Sequence, residues 1–113
     1  MEVKETKDLI KSAIAAETEN ARKKWGETYH SEHEAWAVLT EEIEEANDAL
    51  VKIVTIQRVL WSFVRKPKIE SEDIKYIKED LRYLQDHCQE LAIEATQIAA
   101  VARKYLDSIP EAE

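Results

Sequence analysis

Apolar residues recur three or four positions apart along most of the chain, and this spacing predicts helices. The first helix is expected from about Glu5 to Trp25, with one apolar stripe made of Ile10, Ile14, Ala21 and Trp25. Its last turn is basic (22–24) and Gly26 follows, as expected where a helix ends. We therefore favour a helix-end role for the basic run over a phosphate-binding role.

A second helix is predicted from Ser31 to Lys66, a stretch without glycine or proline. Ser31 and Glu34 form an S-x-x-E capping box at its start. A heptad-like seam follows, with Gln57 as its polar exception: Trp36, Leu39, Ile43, Ala46, Leu50, Ile53, Leu60 and Val64. One continuous helix here would be about 54 Å long, whereas a compact monomer of this size is roughly 35 Å across. Either the helix breaks or the chain pairs with another copy, and we favour pairing.

The third helix is expected after Pro67, from a Ser71 cap to about Asp107. Its seam consists of Ile74, Ile77, Leu81, Leu84, Cys88, Leu91, Ala95, Ile98, Ala102 and Tyr105. The predicted fold is therefore all-α. We expect a single domain over residues 1–113, an antiparallel bundle of three to four long helices that is completed by oligomerisation.

Composition narrows the classes of partner. A formal net charge of −8 argues against nucleic acid as the main partner, because the phosphate backbone would repel the chain. The single cysteine excludes an internal disulfide. No apolar run has the length of a membrane span, and no cleavable signal is visible. These features predict a cytoplasmic protein that does not bind membranes.

Three glutamates in the second helix form an EExxE pattern: Glu41, Glu42 and Glu45. Glu42 and Glu45 share a mostly apolar helical face. Like charges at this spacing repel each other, and a carboxylate is costly to bury, so a divalent cation would stabilise the arrangement. A solvated acidic face is the alternative, and the motif alone leaves both open.

A magnesium site also needs ligands from a second helix. Glu94 is the only ionisable residue of the apolar stretch 91–102, and Gln97 follows it by one turn with a carbonyl oxygen that can bind a hard cation. A glutamate at the rim of the bundle is the alternative reading of Glu94. Glu70 and Asp73 also form an acidic pair, but helix-start interactions explain them without a ligand.

Two segments carry a resemblance to a known family. WGETYHSEHEAWAVLTEEIEEA (Trp25 to Ala46) and ELAIEATQIAAVARKYL (Glu90 to Leu106) resemble the MazG-like, all-α nucleoside triphosphate pyrophosphohydrolases, especially their short phage and prophage forms. The family combines EExxE on one helix with ExxD on a later one. Here the first motif is complete, the second has Gln97 in place of aspartate, and the separation between the two is longer than usual.

The resemblance implies a dimer or tetramer that hydrolyses nucleoside triphosphates to monophosphate and pyrophosphate with Mg²⁺. It implies metal ligands at Glu42, Glu45, Glu94 and Gln97. Glu41 would orient or deprotonate the attacking water, Trp25 and His33 would contact base or sugar, and Lys104 would contact phosphate. A packing role for Trp25 and a helix-start role for His33 are the alternatives. Because Gln97 lacks a negative charge, we expect weaker Mg²⁺ binding, reduced activity and a preference shifted toward Mn²⁺.

Two other functions are compatible with an all-α bundle, but the sequence supports only the first of them as an alternative. One is a non-catalytic helical assembly or binding protein, a degenerate relative of the same family. The other is a ferritin-like di-metal bundle, which requires paired Glu-x-x-His motifs on helices. The predicted helices contain no such pair.

Overall fold

The computed structural model describes residues 3–110, and these residues form three α-helices. They are α1 (Val3–Trp25), α2 (Glu32–Val64) and α3 (Ser71–Ser108). The described part of the chain contains no strand, and α3 contacts both α1 and α2. The all-α prediction is confirmed, and each long predicted helix is continuous.

Gly26 terminates α1 as the sequence predicts. Its φ of 100° is in the left-handed region that an L side chain rarely adopts. Its N–H still donates to the carbonyl of Arg22 at 2.9 Å, so the last turn of α1 is closed before the chain changes direction. The loop that follows carries the chain from α1 to α2.

Ser31 caps the start of α2, as the capping-box pattern predicts. Its Oγ accepts a hydrogen bond from the N–H of Glu34 at 3.1 Å, and its carbonyl accepts one from the N–H of Ala35 at 3.1 Å. With 33 residues, α2 is about 50 Å long.

The turn between α2 and α3 differs in detail from the prediction. The helix α2 ends at Val64, before Pro67 is reached, and the N–H of Lys66 bonds to the carbonyl of Phe63 at 3.2 Å. At the start of α3 the capping group is the carboxylate of Asp73, which accepts from the N–H of Glu70 at 2.8 Å. Asp73 is therefore engaged in helix-start interactions, which agrees with our reading of this acidic pair as structural.

The chain divides into two compact units. The first unit contains the residues up to Glu44 and those from Ile93 onward, and the second unit is Glu45–Ala92. Within the second unit, residue numbers fall along α3 as they rise along α2, so the two helices are antiparallel there. The pairs are Lys52–Glu90 (3.8 Å), Phe63–Tyr76 (ring centroids 5.9 Å apart) and Lys66–Asp73 (2.7 Å).

In the first unit, α1 and the loop after it are fixed to the end of α3. Arg22 of α1 forms an ion pair with Asp107 of α3. The backbone N–H of Tyr29 donates to Ser108 Oγ at 2.9 Å, and that hydroxyl donates to the carbonyl of Lys104 at 2.8 Å. These contacts place the α1–α2 loop directly beside the last turns of α3.

Small side chains make up the fully buried apolar core of the described residues, which consists of Ala35, Ala49 and Ala100. Larger apolar side chains are half-buried or exposed, among them Trp36 (64% exposed) and Trp61 (61% exposed). About half of the residues in the two predicted seams are therefore exposed to solvent on the single chain. None of the three described helices has a stretch that is both long and apolar enough to cross a membrane.

Candidate functional site

The EExxE glutamates all lie on α2. Glu42 is half-buried, whereas Glu41 and Glu45 are exposed. Glu45 follows Glu42 by about one turn on the same face of the helix and is the first residue of the second unit. Glu42 is thus the member of the motif that points most deeply into the first unit.

The first unit brings Glu42 together with Glu94 of α3. Oxygen atoms of the two carboxylates lie within 4.8 Å of each other. Glu94 is half-buried, as is Gln97 one turn further along α3. Two acidic side chains from separate helices therefore meet at one place, with an amide beside them.

The amide of Gln97 is oriented by its neighbours. With its nitrogen toward the carboxylates, Gln97 donates to Glu42 Oε2 at 3.2 Å and to Glu94 Oε2 at 3.1 Å. The opposite orientation would direct its carbonyl oxygen at acceptors only. Because a carboxylate only accepts hydrogen bonds, the donating orientation is the one that satisfies all three groups in the absence of a cation.

A groove of about 810 Å³ in the first unit extends from Glu42 and Gln97 toward α1 and the α1–α2 loop. We call it the Tyr29 groove. It is lined by Glu17, Asn20, Ala21, Lys24, Trp25, Tyr29, His30, Glu34, Val38, Glu42, Gln97, Ala100, Val101 and Lys104. Its walls combine three aromatic rings with two lysines and three glutamates, so the lining offers flat surfaces for ring stacking and side chains of both charges.

Lys104 is the most buried charged residue of this groove, with only 2% of its surface exposed. Its Nζ lies 4.2 Å from the ring centroid of Tyr29. The face of the ring stabilises the ammonium group by a cation–π interaction, which keeps a positive charge inside the groove wall.

The basic run at the end of α1 has two roles. Arg22 forms an ion pair with Asp107 that links α1 to α3, whereas Lys24 lines the groove and its Nζ lies 5.1 Å from the ring centroid of Trp25. Trp25 is 71% exposed, so its indole is not part of the protein core. Its ring is available to a ligand in the groove.

Tyr29 is a central residue of the groove that the sequence does not predict as a site residue. Burial raises the pKa of its phenol, and the negative charges of Glu34 and Glu42 raise it further. The hydroxyl is therefore a neutral hydrogen-bond donor across the physiological pH range. The sequence gives one indication of its position: Tyr29 is an aromatic residue in a six-residue loop (26–31), just before a capping box.

His33 and Glu41, both predicted to act on substrate or water, are exposed and lie outside the lining of the Tyr29 groove. His30 lines the groove instead. In the second unit, His87 pairs with Glu90 at 3.2 Å along the surface of α3. Because the two residues are one turn apart on the same helix, this pair is local to α3.

Comparison with known proteins gives no match: no family model, no curated protein and no solved structure is significantly similar to the chain. The resemblance to MazG-like enzymes therefore stays a prediction that rests on the motif residues themselves.

Proposed function

We propose that this protein is a metal-dependent nucleoside triphosphate pyrophosphohydrolase that cleaves (d)NTP to (d)NMP and pyrophosphate. One observation carries the proposal: Glu42, whose carboxylate lies close to that of Glu94, lines a groove that also holds a buried lysine and exposed aromatic rings. A triphosphate with a flat base has both of the chemical features that these walls recognise.

The donor set suits a hard divalent cation, because magnesium prefers several carboxylate and carbonyl oxygens. Mg²⁺, or Mn²⁺ as the alternative, would be held by the carboxylates of Glu42, Glu45 and Glu94. The carbonyl oxygen of Gln97 would be the fourth ligand. When bound, such an ion neutralises phosphate charge and acidifies water. Of these side chains, Glu42 and Glu94 are the pair whose proximity supports the assignment.

The remaining roles follow from charge and shape. Lys104 offsets the negative charge of the phosphates, because its ammonium group is already held inside the groove wall. Trp25 stacks on the base. His33 lies outside the groove lining, so it would contact base or sugar only where the nucleotide extends beyond the groove toward the start of α2. Glu41 accepts a proton from the attacking water, since a carboxylate beside the ligand pair is suited to general-base work.

A homo-oligomer, dimer or tetramer, is part of this proposal. Trp36, Ile43 and Leu50 lie on the predicted seam of α2 and are each exposed on the single chain. Exposed apolar side chains that recur along one face of a helix are typical of an interaction site. The proposed location remains the cytoplasm.

Pyrophosphate release from a panel of NTPs and dNTPs, with Mg²⁺ or Mn²⁺, tests the reaction. Glu42→Gln and Glu94→Gln are each expected to lower the rate at least about 100-fold, since they remove a negative ligand. The matched control is Glu44→Gln, an exposed glutamate on the same helix that does not line the groove. Equal loss in the control would argue against a specific role for Glu42 and Glu94.

Lys104 provides a separate test of the groove. Lys104→Met keeps most of the side-chain volume and removes the charge, so we expect the KM for NTP to rise by at least about tenfold, which corresponds to the loss of about 1.4 kcal/mol. Arg103→Met, one residue away and exposed, removes the same charge outside the groove and is expected to leave KM within about twofold. A KM that responds to both substitutions equally would reflect net charge alone.

The second candidate is a non-catalytic helical assembly or binding protein that has kept the bundle and lost turnover. The observation that favours it is Gln97, which takes the position of an acidic ligand and can satisfy both glutamates without a metal. No pyrophosphate release from any nucleotide, together with no rise in melting temperature on adding metal, would support this function instead.

A further inference from the structure

The side-chain amide of Gln97 lies between two carboxylates from different helices. In the orientation that its acceptor neighbours require, its nitrogen is 3.2 Å from Glu42 Oε2 and 3.1 Å from Glu94 Oε2. A primary amide has two N–H groups, so one nitrogen can donate to both carboxylates at once. All three side chains are half-buried, where charges are screened less than at the surface.

The two ends of the Gln97 amide interact in opposite ways with the carboxylates, because the nitrogen donates hydrogen bonds and the oxygen only accepts them. The nitrogen end supplies two partial positive charges that offset the repulsion between Glu42 and Glu94. The oxygen end would add a third acceptor to the two carboxylates, an arrangement that is stable only if a cation lies among the oxygens. Rotation about the last side-chain torsion exchanges the two ends without moving either helix.

We propose that Gln97 is a positioning residue with two amide orientations. Its NH₂ bridges Glu42 and Glu94 in the metal-free protein, and its carbonyl turns toward them when a divalent cation binds. The metal-bound half of this inference rests on the proposed function, whereas the bridging half does not. The bridge keeps the two carboxylates together before metal arrives, and metal binding must break both hydrogen bonds.

The orientation of the amide can be observed directly by NMR of ¹⁵N-labelled protein, with the Gln97 NH₂ signals identified by their loss in Gln97→Leu. In EDTA we expect these signals to be displaced from those of Gln85 and Gln89, which are exposed glutamines of α3 and serve as internal controls. Addition of Mg²⁺ alone, or of diamagnetic Ca²⁺ as a second probe, is expected to move the Gln97 signals toward the position of the exposed glutamines.

Thermal unfolding of variants gives an independent readout. In EDTA, Gln97→Asp replaces the donor with a third negative charge, and we expect its melting temperature to fall by at least about 5 °C. Saturating Mg²⁺ should then raise it by more than it raises the wild type, because the variant supplies the missing acidic ligand. Gln97→Leu should also melt lower in EDTA but gain less from Mg²⁺ than Gln97→Asp. Gln89→Leu is the control and should melt like the wild type in both conditions.

Two results would overturn the inference, and both differ from failure of the proposed function. If the Gln97 signals in EDTA coincide with those of Gln89, the bridge does not exist. If they are displaced but unchanged at saturating Mg²⁺, while that metal raises the melting temperature, the amide does not turn. The proposed function fails separately, when no nucleotide releases pyrophosphate with either metal.

Discussion

At the scale of single residues, Asp73 shows how one carboxylate can hold a turn together. It is only 6% exposed, and its two oxygens accept hydrogen bonds from Lys66 Nζ at 2.7 Å and from the N–H of Glu70 at 2.8 Å. The hydrogen bond from Lys66 is the main cause that lowers the pKa of this carboxyl, followed by the bond from the Glu70 amide.

The lowered pKa of Asp73 predicts a pH dependence of stability. The folded state binds this proton less tightly than the unfolded state, so the contribution of Asp73 is present above its ordinary pKa near 4 and is lost as pH falls through that value and below it. We expect the melting temperature of Asp73→Asn to lie below that of the wild type at pH 7 and to approach it at about pH 3. Asp86→Asn, at an exposed position of α3, is the control. A constant difference between Asp73→Asn and wild type from pH 7 to pH 3 would contradict this assignment.

The candidate site could be predicted only in part from single residues. The face shared by Glu42 and Glu45 follows from helical geometry alone, and Glu94 stands out as a lone charge in an apolar stretch. The proximity of Glu94 to Glu42 depends on how α2 and α3 are aligned, which no local pattern specifies. Tyr29 was missed because a loop residue has no period, and its position is set by the hydrogen bond from its backbone to Ser108.

At the scale of helices, the boundaries were predictable where one residue type dictates the backbone. Gly26 and Ser31 mark the end of α1 and the start of α2, because a positive φ and an N-cap acceptor each select few residue types. The end of α2 was less predictable. The helix stops at Val64, before Pro67, while the side chain of Lys66 reaches across the turn to Asp73, a contact that sequence spacing does not specify.

The Ser31 cap makes a measurable contribution. Ser31→Ala removes the acceptor for the Glu34 N–H, and we expect the free energy of unfolding to fall by about 1 kcal/mol. Urea denaturation at pH 7 measures this difference. Ser12→Ala, at an exposed position inside α1, is the matched control and should be neutral or slightly stabilising, because alanine is the better helix former. An equal effect at both positions would mean that Ser31 is not an energetically important cap.

At the scale of the whole molecule, about half of the apolar seam residues are exposed on the single chain, so the proposed assembly can be tested by measuring the oligomeric state. We expect sedimentation equilibrium to give a mass of at least twice the 13.1 kDa of one chain. Trp36→Glu places a charge on the exposed seam and should shift the protein toward the monomer, because burying that charge at an interface is costly. Gln85→Glu, at an exposed polar position of α3, adds the same single negative charge outside the seam and is the control. A wild-type monomer at high micromolar concentration would contradict the proposed assembly.

The alanine core has a consequence for dilution. The fully buried apolar side chains of the described residues are three alanines. Each buries less apolar surface than a leucine or phenylalanine would. If contacts with a second copy supply the remainder, folding and association become one equilibrium governed by mass action. The melting temperature would then depend on the protein concentration, and each tenfold dilution would lower it.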